Sequence, residues 1–364
     1  MDMATAPALS GRADSNPREL ATLSSTVYSD MAASATTILV YLGDRLGLFR
    51  ALADYGPTRA AQLAALTGTH ERYVAEWLAA LAAAEYVTYD PDLETFSMTA
   101  EQVAVFADQD SPASIQGLVD VLVACSRDEP KLEQAFRLGT GIPWSERHPS
   151  MFSVAERLLR PAYEANLVQA WLPALDGVMD KLRDGANVAE IACGHGAATV
   201  IMAKAFPRST FNAFDSHPPS IEEARRRARD AEAWENTRFD VAPAQDFPGR
   251  GYDLVTTLDA LHVLGDPAAV ACQVRRSLAA DGTWMVVEPL ADDDMENNFT
   301  THGRTMYALS TMACVPTSMA QEVGTALGAM SGERALRRLI LDAGFASVDR
   351  VAQTETSLVL EARP

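Results

Sequence analysis

Residues 190–196 read Glu-Ile-Ala-Cys-Gly-His-Gly and lie where a strand-type run gives way to a helical one. Glycines such as Gly194 and Gly196 let a backbone approach a ligand closely, and a helix N-terminus offers unpaired N–H groups to a carboxylate or phosphate. Asp215 ends the next strand-type run, about twenty residues further on, placed to accept from both hydroxyls of a ribose. The dinucleotide fingerprint would require Ala or Gly three residues past Gly196, where Thr199 stands instead. The turn and Asp215 together are therefore compatible with NAD and with S-adenosylmethionine (SAM). A tight turn with no ligand is disfavoured, because two glycines flank a histidine directly before a helix. His195, inside the turn, is expected to shape the loop, and His148, His217 and His302 stand in no catalytic context. No grouping of His with Asp, Glu or Cys has metal-ligand spacing, so no metal is expected and a metal-dependent mechanism is disfavoured.

The elements that must position these residues alternate from Asn187 onward. Strand-type runs at 188–192, 210–215, 237–241, 252–258 and 283–288 are separated by helical patterns at 197–206, 220–232 and 268–278. Such alternation predicts an α/β fold, a parallel sheet covered by helices on both faces. The alternation stops over residues 291–331, a stretch rich in Met, Thr and Asn, and a long insertion after a strand end predicts a lid or pocket wall. A helix over 333–343 and strands at 347–352 and 357–361 complete the sheet. Residues 108–184 read as a mostly helical connector, broken at Pro130 and over 139–149.

Residues 20–107 carry a different pattern. Helical spacing over 60–67 and 70–84, interrupted at Gly68, precedes short extended runs at 86–89 and 95–98 with a turn at Asp90-Pro91-Asp92. Two helices closed by a hairpin describe a winged helix, an element that often reads DNA. Its second helix bears Glu71, Arg72 and Glu76 and leads to Glu85, a net negative face without the Lys/Arg set that phosphate contact requires. A buried or subunit-facing role is expected, and the net charge of −19 further disfavours nucleic acid and anionic membranes as partners. Residues 24–42 are too apolar to remain solvated and predict a homodimer built on this domain. Residues 1–19 are expected to form a disordered leader, lacking the cationic start and apolar run of a signal peptide. Cys125, Cys193, Cys272 and Cys314 lie far apart, which fits a reducing cytoplasm.

From residue 186 to the C-terminus the sequence resembles the class I SAM-dependent methyltransferases, whose first motif is acidic-x-Gly-x-Gly-x-Gly. Glu190, Gly194 and Gly196 match it, with Ala192 replacing the first glycine. Ala244-Gln245-Asp246-Phe247 resembles the segment that flanks the adenine in that family, and Tyr252-Asp253-Leu254-Val255 resembles its fourth strand. The resemblance implies SAM as cofactor and a Rossmann-like seven-stranded sheet whose last strand is antiparallel, behind an N-terminal mostly α winged-helix domain. Gln245, Asp246 and Phe247 are the implied adenine contacts, and Ser216 and Asp259 complete the expected cofactor set with Glu190, Ala192, Gly194, Gly196 and Asp215.

The two-domain plan is similar to that of small-molecule O-methyltransferases and of a group of actinobacterial proteins. In those enzymes a catalytic His lies just past the fourth strand, in a stretch resembling Leu261-His262-Val263-Leu264-Gly265-Asp266. Glutamates at the end of the fifth strand and before the next helix match Glu288 and Glu333. A sulfonium methyl is already activated, so the protein need only align a nucleophile and remove its proton. His262 suits that work, because its ordinary pKa lies near neutrality and a carboxylate partner would orient it. A packing or cofactor-contacting role for His262 is the bland alternative. The substrate is expected to be a small molecule, with Arg304 and Tyr307 of the lid facing Trp144, His148 and Phe152 of the connector. N- or C-methylation, other SAM chemistry, and a SAM-responsive transcription regulator remain the competing readings.

Overall fold

The computed structural model describes residues 15–153 and 155–364. Contacts divide the chain into two units that meet at Ala107 and Asp108. In the first unit, helix α1 (Pro17–Arg45) starts on the Asn16 side chain, which accepts from the Arg18 N–H, with proline at its first turn. Helix thus begins inside the stretch expected to be a leader, while residues 1–14 of that expectation lie outside the described residues. Helices α2 (Leu48–Tyr55), α3 (Ala60–Thr67) and α4 (Glu71–Ala83) follow. Strands β1 (Thr88–Asp90) and β2 (Thr95–Ser97) pair antiparallel, and α5 (Ala100–Phe106) closes the unit. The hairpin turns because Asp90 Oδ1 accepts from the N–H groups of Asp92 and Leu93 at 2.9 and 3.2 Å. Phe49, Leu52, Leu63, Leu78 and Leu81 form the buried centre, with Trp77 edge-on to Phe49 and donating to Leu39 O at 2.9 Å.

The second unit opens with α6 (Gln116–Arg127) and α7 (Glu129–Leu138). Short 3-10 turns at Trp144–Glu146 and Pro149–Ser153 lead into a π-helical segment, Ala155–Leu159. Helix α8 (Arg160–Asn166) and a second π segment, Leu167–Trp171, precede α9 (Val178–Asp184). The sheet comprises β3 (Asn187–Ile191), β4 (Thr210–Asp215), β5 (Thr237–Val241), β6 (Tyr252–Leu258), β7 (Leu278–Pro289), β8 (Ser347–Gln353) and β9 (Ser357–Arg363). Between these run α10 (Ala197–Ala205), α11 (Pro218–Asp230), α12 (Pro267–Ser277), α13 (Thr301–Leu309), α14 (Val315–Met319) and α15 (Gly332–Asp342).

Strand order is β5-β4-β3-β6-β7-β9-β8, parallel except for β9, which is antiparallel to both neighbours. This is the seven-stranded sheet with an antiparallel last strand that the sequence led us to expect. Strands β3, β6 and β7 are apolar on both faces because helices cover both. One face packs Ile191, Val255, Trp284 and Val286 against α12 and α15; the other packs Val188, Leu254, Met285 and Val287 against α10 and the connector. From β3 the chain moves outward one way to β4 and the other way to β6. The carboxyl ends of β3 and β6 therefore flank the switch point where α/β sheets take their ligands.

Candidate active site

At the end of β3 the backbone turns sharply. Ala192, Gly194 and Gly196 all adopt left-handed backbone, with φ of 57, 54 and 75°. Ala192 occupies the position where the resembled motif has glycine, at a cost of about 1–2 kcal/mol for an L-residue. At Gly196 a Cβ would come within 2.7 Å of the Phe239 ring, so both conformation and space require glycine there. Glu190 is buried and accepts from the Thr199 hydroxyl, and burial pushes its pKa up to about 7. Thr199 thus caps the buried acid from the first turn of α10, which gives a reason for threonine at that site.

Asp215 ends β4 with its two oxygens accepting from Gly194 N–H at 2.9 Å and His217 N–H at 2.8 Å. Burial raises its pKa, opposed by those two hydrogen bonds. Each oxygen keeps a lone pair for a ligand hydroxyl. Ser216 is exposed beside it. Gln245 and Asp246 are exposed on a turn closed by Asp246 N–H to Pro243 O at 3.1 Å. Phe247 departs from expectation: it is buried in the sheet core, stacked on Phe214 at 5.6 Å, and its carbonyl accepts from Gln273. Its ring is core rather than an adenine wall.

The ends of β6 and β7 carry a second group. Asp259 leaves β6 in left-handed backbone, with φ 51°, and its carboxylate accepts from the Tyr163 hydroxyl at 2.9 Å. Burial and the nearby Glu288 push Asp259 up to about 6. A 3-10 turn at Leu261–Val263 then carries His262 into the interior. Buried Glu288 fixes that turn with both oxygens, accepting from Leu261 N–H at 2.7 Å and from His262 Nδ1 at 2.5 Å. Nδ1 is thereby the protonated nitrogen, and Nε2 is left to exchange protons. Burial disfavours the imidazolium, but the Glu288 charge, the Cys314 thiol nearby and the hydrogen bond from Nδ1 to Glu288 outweigh it and hold the His262 pKa well above its ordinary value.

The lid closes on this turn. Ser318 Oγ donates to Leu264 O at 2.9 Å, Gln321 Nε2 to Val263 O at 2.9 Å, and Gly265 N–H to Gln321 Oε1 at 2.8 Å. Thr325 N–H and Gly328 N–H add bonds to Gly265 O and His262 O.

The structure unites His262 with Glu288 but places Glu333 elsewhere. At the start of α15 the Glu333 carboxylate is held by Arg337 and Arg350, each at 3.3 Å, and not by His262. The expected connector wall also divides. Trp144 packs against the same buried cluster as Met306 and Met312 of the lid, whereas Phe152 lies between Trp144 and His217, at 5.6 and 4.8 Å, on the Asp215 side. His148 braces its own loop, accepting from Ser150 N–H and bonding Arg127 at 3.2 Å. On α13, Tyr307 is half-buried and Arg304 exposed. Two residues beside the site went unnoticed in the sequence: Tyr163, and Cys314, which is among the groups that raise the His262 pKa. Tyr163 lies between the two π segments of the connector, and Cys314 ends a third, Ser310–Cys314.

Known proteins share this fold. Residues 34–107 match the family described as Rv2258c-like winged HTH domain, and residues 189–284 match a methyltransferase domain. No curated protein matches the chain significantly. Among solved structures, a Nostoc punctiforme protein assigned as an O-methyltransferase is 18% identical with a TM-score of 0.73, covering 93% of this chain and 98% of its own. The mitomycin 7-O-methyltransferase is 17% identical with a TM-score of 0.65, covering 96% and 100%. Human N-acetylserotonin methyltransferase, solved with SAM, is 17% identical with a TM-score of 0.67, covering 96% and 99%. The chain therefore joins an Rv2258c-like winged HTH domain to a methyltransferase domain of the class I, SAM-dependent fold.

Proposed function

We propose that this chain transfers the methyl group of SAM to a hydroxyl of a small organic molecule, with His262 as the general base. The observation that carries this reading is the buried His262–Glu288 pair at 2.5 Å. A carboxylate on Nδ1 fixes the tautomer and stabilises the imidazolium that forms when Nε2 takes the hydroxyl proton. The sulfonium supplies an activated methyl, so deprotonation and in-line positioning are what remains for the protein. Asp215, with a free lone pair on each oxygen, would accept from the ribose hydroxyls, and the left-handed turn at 192–196 would admit the methionine end. Trp144, Met306 and Met312 form an adaptable apolar wall suited to a small, largely apolar substrate. The test is incubation with methyl-labelled SAM and a panel of phenols, alcohols and amines. Labelled O-methyl products with release of S-adenosylhomocysteine support the reading; labelling confined to amines or carbon acids would replace it.

The N-terminal unit is read as a homodimerisation domain. Leu20, Leu23, Val27, Tyr28 and Met31 of α1 are exposed apolar side chains, more than a solvated helix requires. Light scattering at tens of micromolar should give twice the monomer mass; a monomer there removes the reading. All four cysteines are unpaired, consistent with a reducing cytoplasm.

A further inference from the structure

Adenosine presents two features to a protein, a ribose diol and a flat base. Asp215 offers the diol a carboxylate already fixed by two backbone N–H groups. The base has a weakly hydrated face that gains most from an aromatic ring. The segment expected to flank it supplies none: the Phe247 ring is buried against Phe214, and Ser216, Gln245 and Asp246 are polar and exposed. A ring comes instead from the connector. The 3-10 turn Pro149–Ser153 sets Phe152 with its centroid 4.8 Å from that of His217 and its plane tilted by 43°. His217 follows Asp215 by two residues. Its N–H donates to Asp215 Oδ1 at 2.8 Å, and its Nδ1 bonds the Ser220 hydroxyl at 2.9 Å, so one turn presents both the carboxylate and the imidazole. The Phe152 side is fixed as well. Met151 is buried among Val121, Ala124 and Cys125 of α6, and its N–H donates to His148 O at 2.8 Å. A ring needed only for packing is sealed, as Phe214 and Phe247 are. Phe152 and His217 each keep part of their surface open.

We propose that Phe152 is a cofactor-binding residue: with His217 it forms the aromatic wall against which the adenine of SAM and S-adenosylhomocysteine rests. This moves Phe152 from the substrate wall, where the sequence suggested it, to the cofactor, and it rests on Asp215 holding the ribose. Phe152 also meets Trp144, at 5.6 Å, whose ring packs against the cluster that includes Met306 and Met312 of the lid. One stretch of the connector thus gives an aromatic ring to each side of the site, Phe152 to the cofactor and Trp144 to the substrate.

The probe is S-adenosylhomocysteine, titrated by calorimetry into the full-length chain without substrate. Phe152→Ala should weaken its binding by roughly 5–100-fold, the range for one base resting on one aromatic ring. Phe152→Tyr keeps the aromatic face and should bind within about twofold of the native chain. Phe152→Leu keeps apolar bulk without that face, should fall between the two, and serves in place of alanine if that variant folds poorly. A role confined to packing would not rank tyrosine above leucine. Unchanged affinity in Phe152→Ala, or a loss in Phe152→Tyr as large as in Phe152→Ala, overturns the assignment. Asp215→Ala, measured alongside, separates this inference from the reading beneath it. If Asp215→Ala weakens binding and Phe152→Ala does not, the ribose site stands and the aromatic wall falls. If neither substitution weakens binding, the cofactor lies elsewhere and both fall.

Discussion

The turn after β3 and the turn after β6 are built in opposite ways. The first is local: Glu190, Thr199, Gly194 and Asp215 lie within one β-α-β unit and bond to one another. The second is assembled from four distant stretches: Tyr163 of the connector, His262, Glu288 of β7 and the lid, whose Gly328 N–H bonds to His262 O. A local site keeps its geometry through the strand–helix turn that forms it. The assembled site depends on packing between elements separated by up to about 150 residues, so its groups are specified jointly with the pocket they face.

That contrast can be broken by substitution. The largest effect is expected at His262: replacement by alanine should lower kcat by roughly 10²–10⁴ with SAM affinity nearly intact, because the ring acts on the substrate proton. Calorimetry and single-turnover kinetics on the same protein separate the two. A mutant with full turnover would leave proximity alone as the mechanism.

Asp215→Ala should do the reverse, weakening SAM and S-adenosylhomocysteine by about 1.5–3 kcal/mol for each ribose bond lost. Unchanged affinity in calorimetry would remove Asp215 from the cofactor site.

Glu288→Gln sharpens the comparison through pH. In the native chain the raised His262 pKa keeps Nε2 protonated above the ordinary histidine range, so kcat should rise only as pH passes well beyond 6.5. Without the carboxylate, the largest influence opposing burial is gone, and the balance moves toward the neutral ring. The rising limb should then move to lower pH, while the maximal rate falls by about 10–100-fold through lost orientation. A limb that stays in place would detach Glu288 from the base.

Glu333→Gln should have the smallest effect. Its half-exposed pairs with Arg337 and Arg350 contribute at most about 1 kcal/mol of stability, and kcat should be unaffected. A drop in kcat comparable to that of Glu288→Gln would restore it to the site.

The local turn was legible because its signals are consecutive: glycines, a helix start, and an acid at the next strand end. Even Ala192 was visible as a departure, and its left-handed backbone explains why glycine is the resembled residue there. Glu288 was legible only through the resemblance, since nothing in Val286-Val287-Glu288 distinguishes a base-orienting acid from any strand-end glutamate. Phe247 turns its ring to the core because a turn residue can face either the ligand or the core, and here Phe214 claims the ring. Glu333 stands apart from His262 because its partner Arg350 lies on β8, outside any local pattern. Tyr163 and Cys314 were invisible for a different reason. Each adjoins a π-helical segment, where an extra residue per turn rotates every following side chain off the 3.6 period on which helical reading depends.

The five hydrogen bonds joining residues 318–328 to residues 262–265 have a mechanical meaning. They tie the C-terminal part of the lid to the turn that carries His262, so that turn is held from the strand ends by Glu288 on one side and from residues 318–328 on the other.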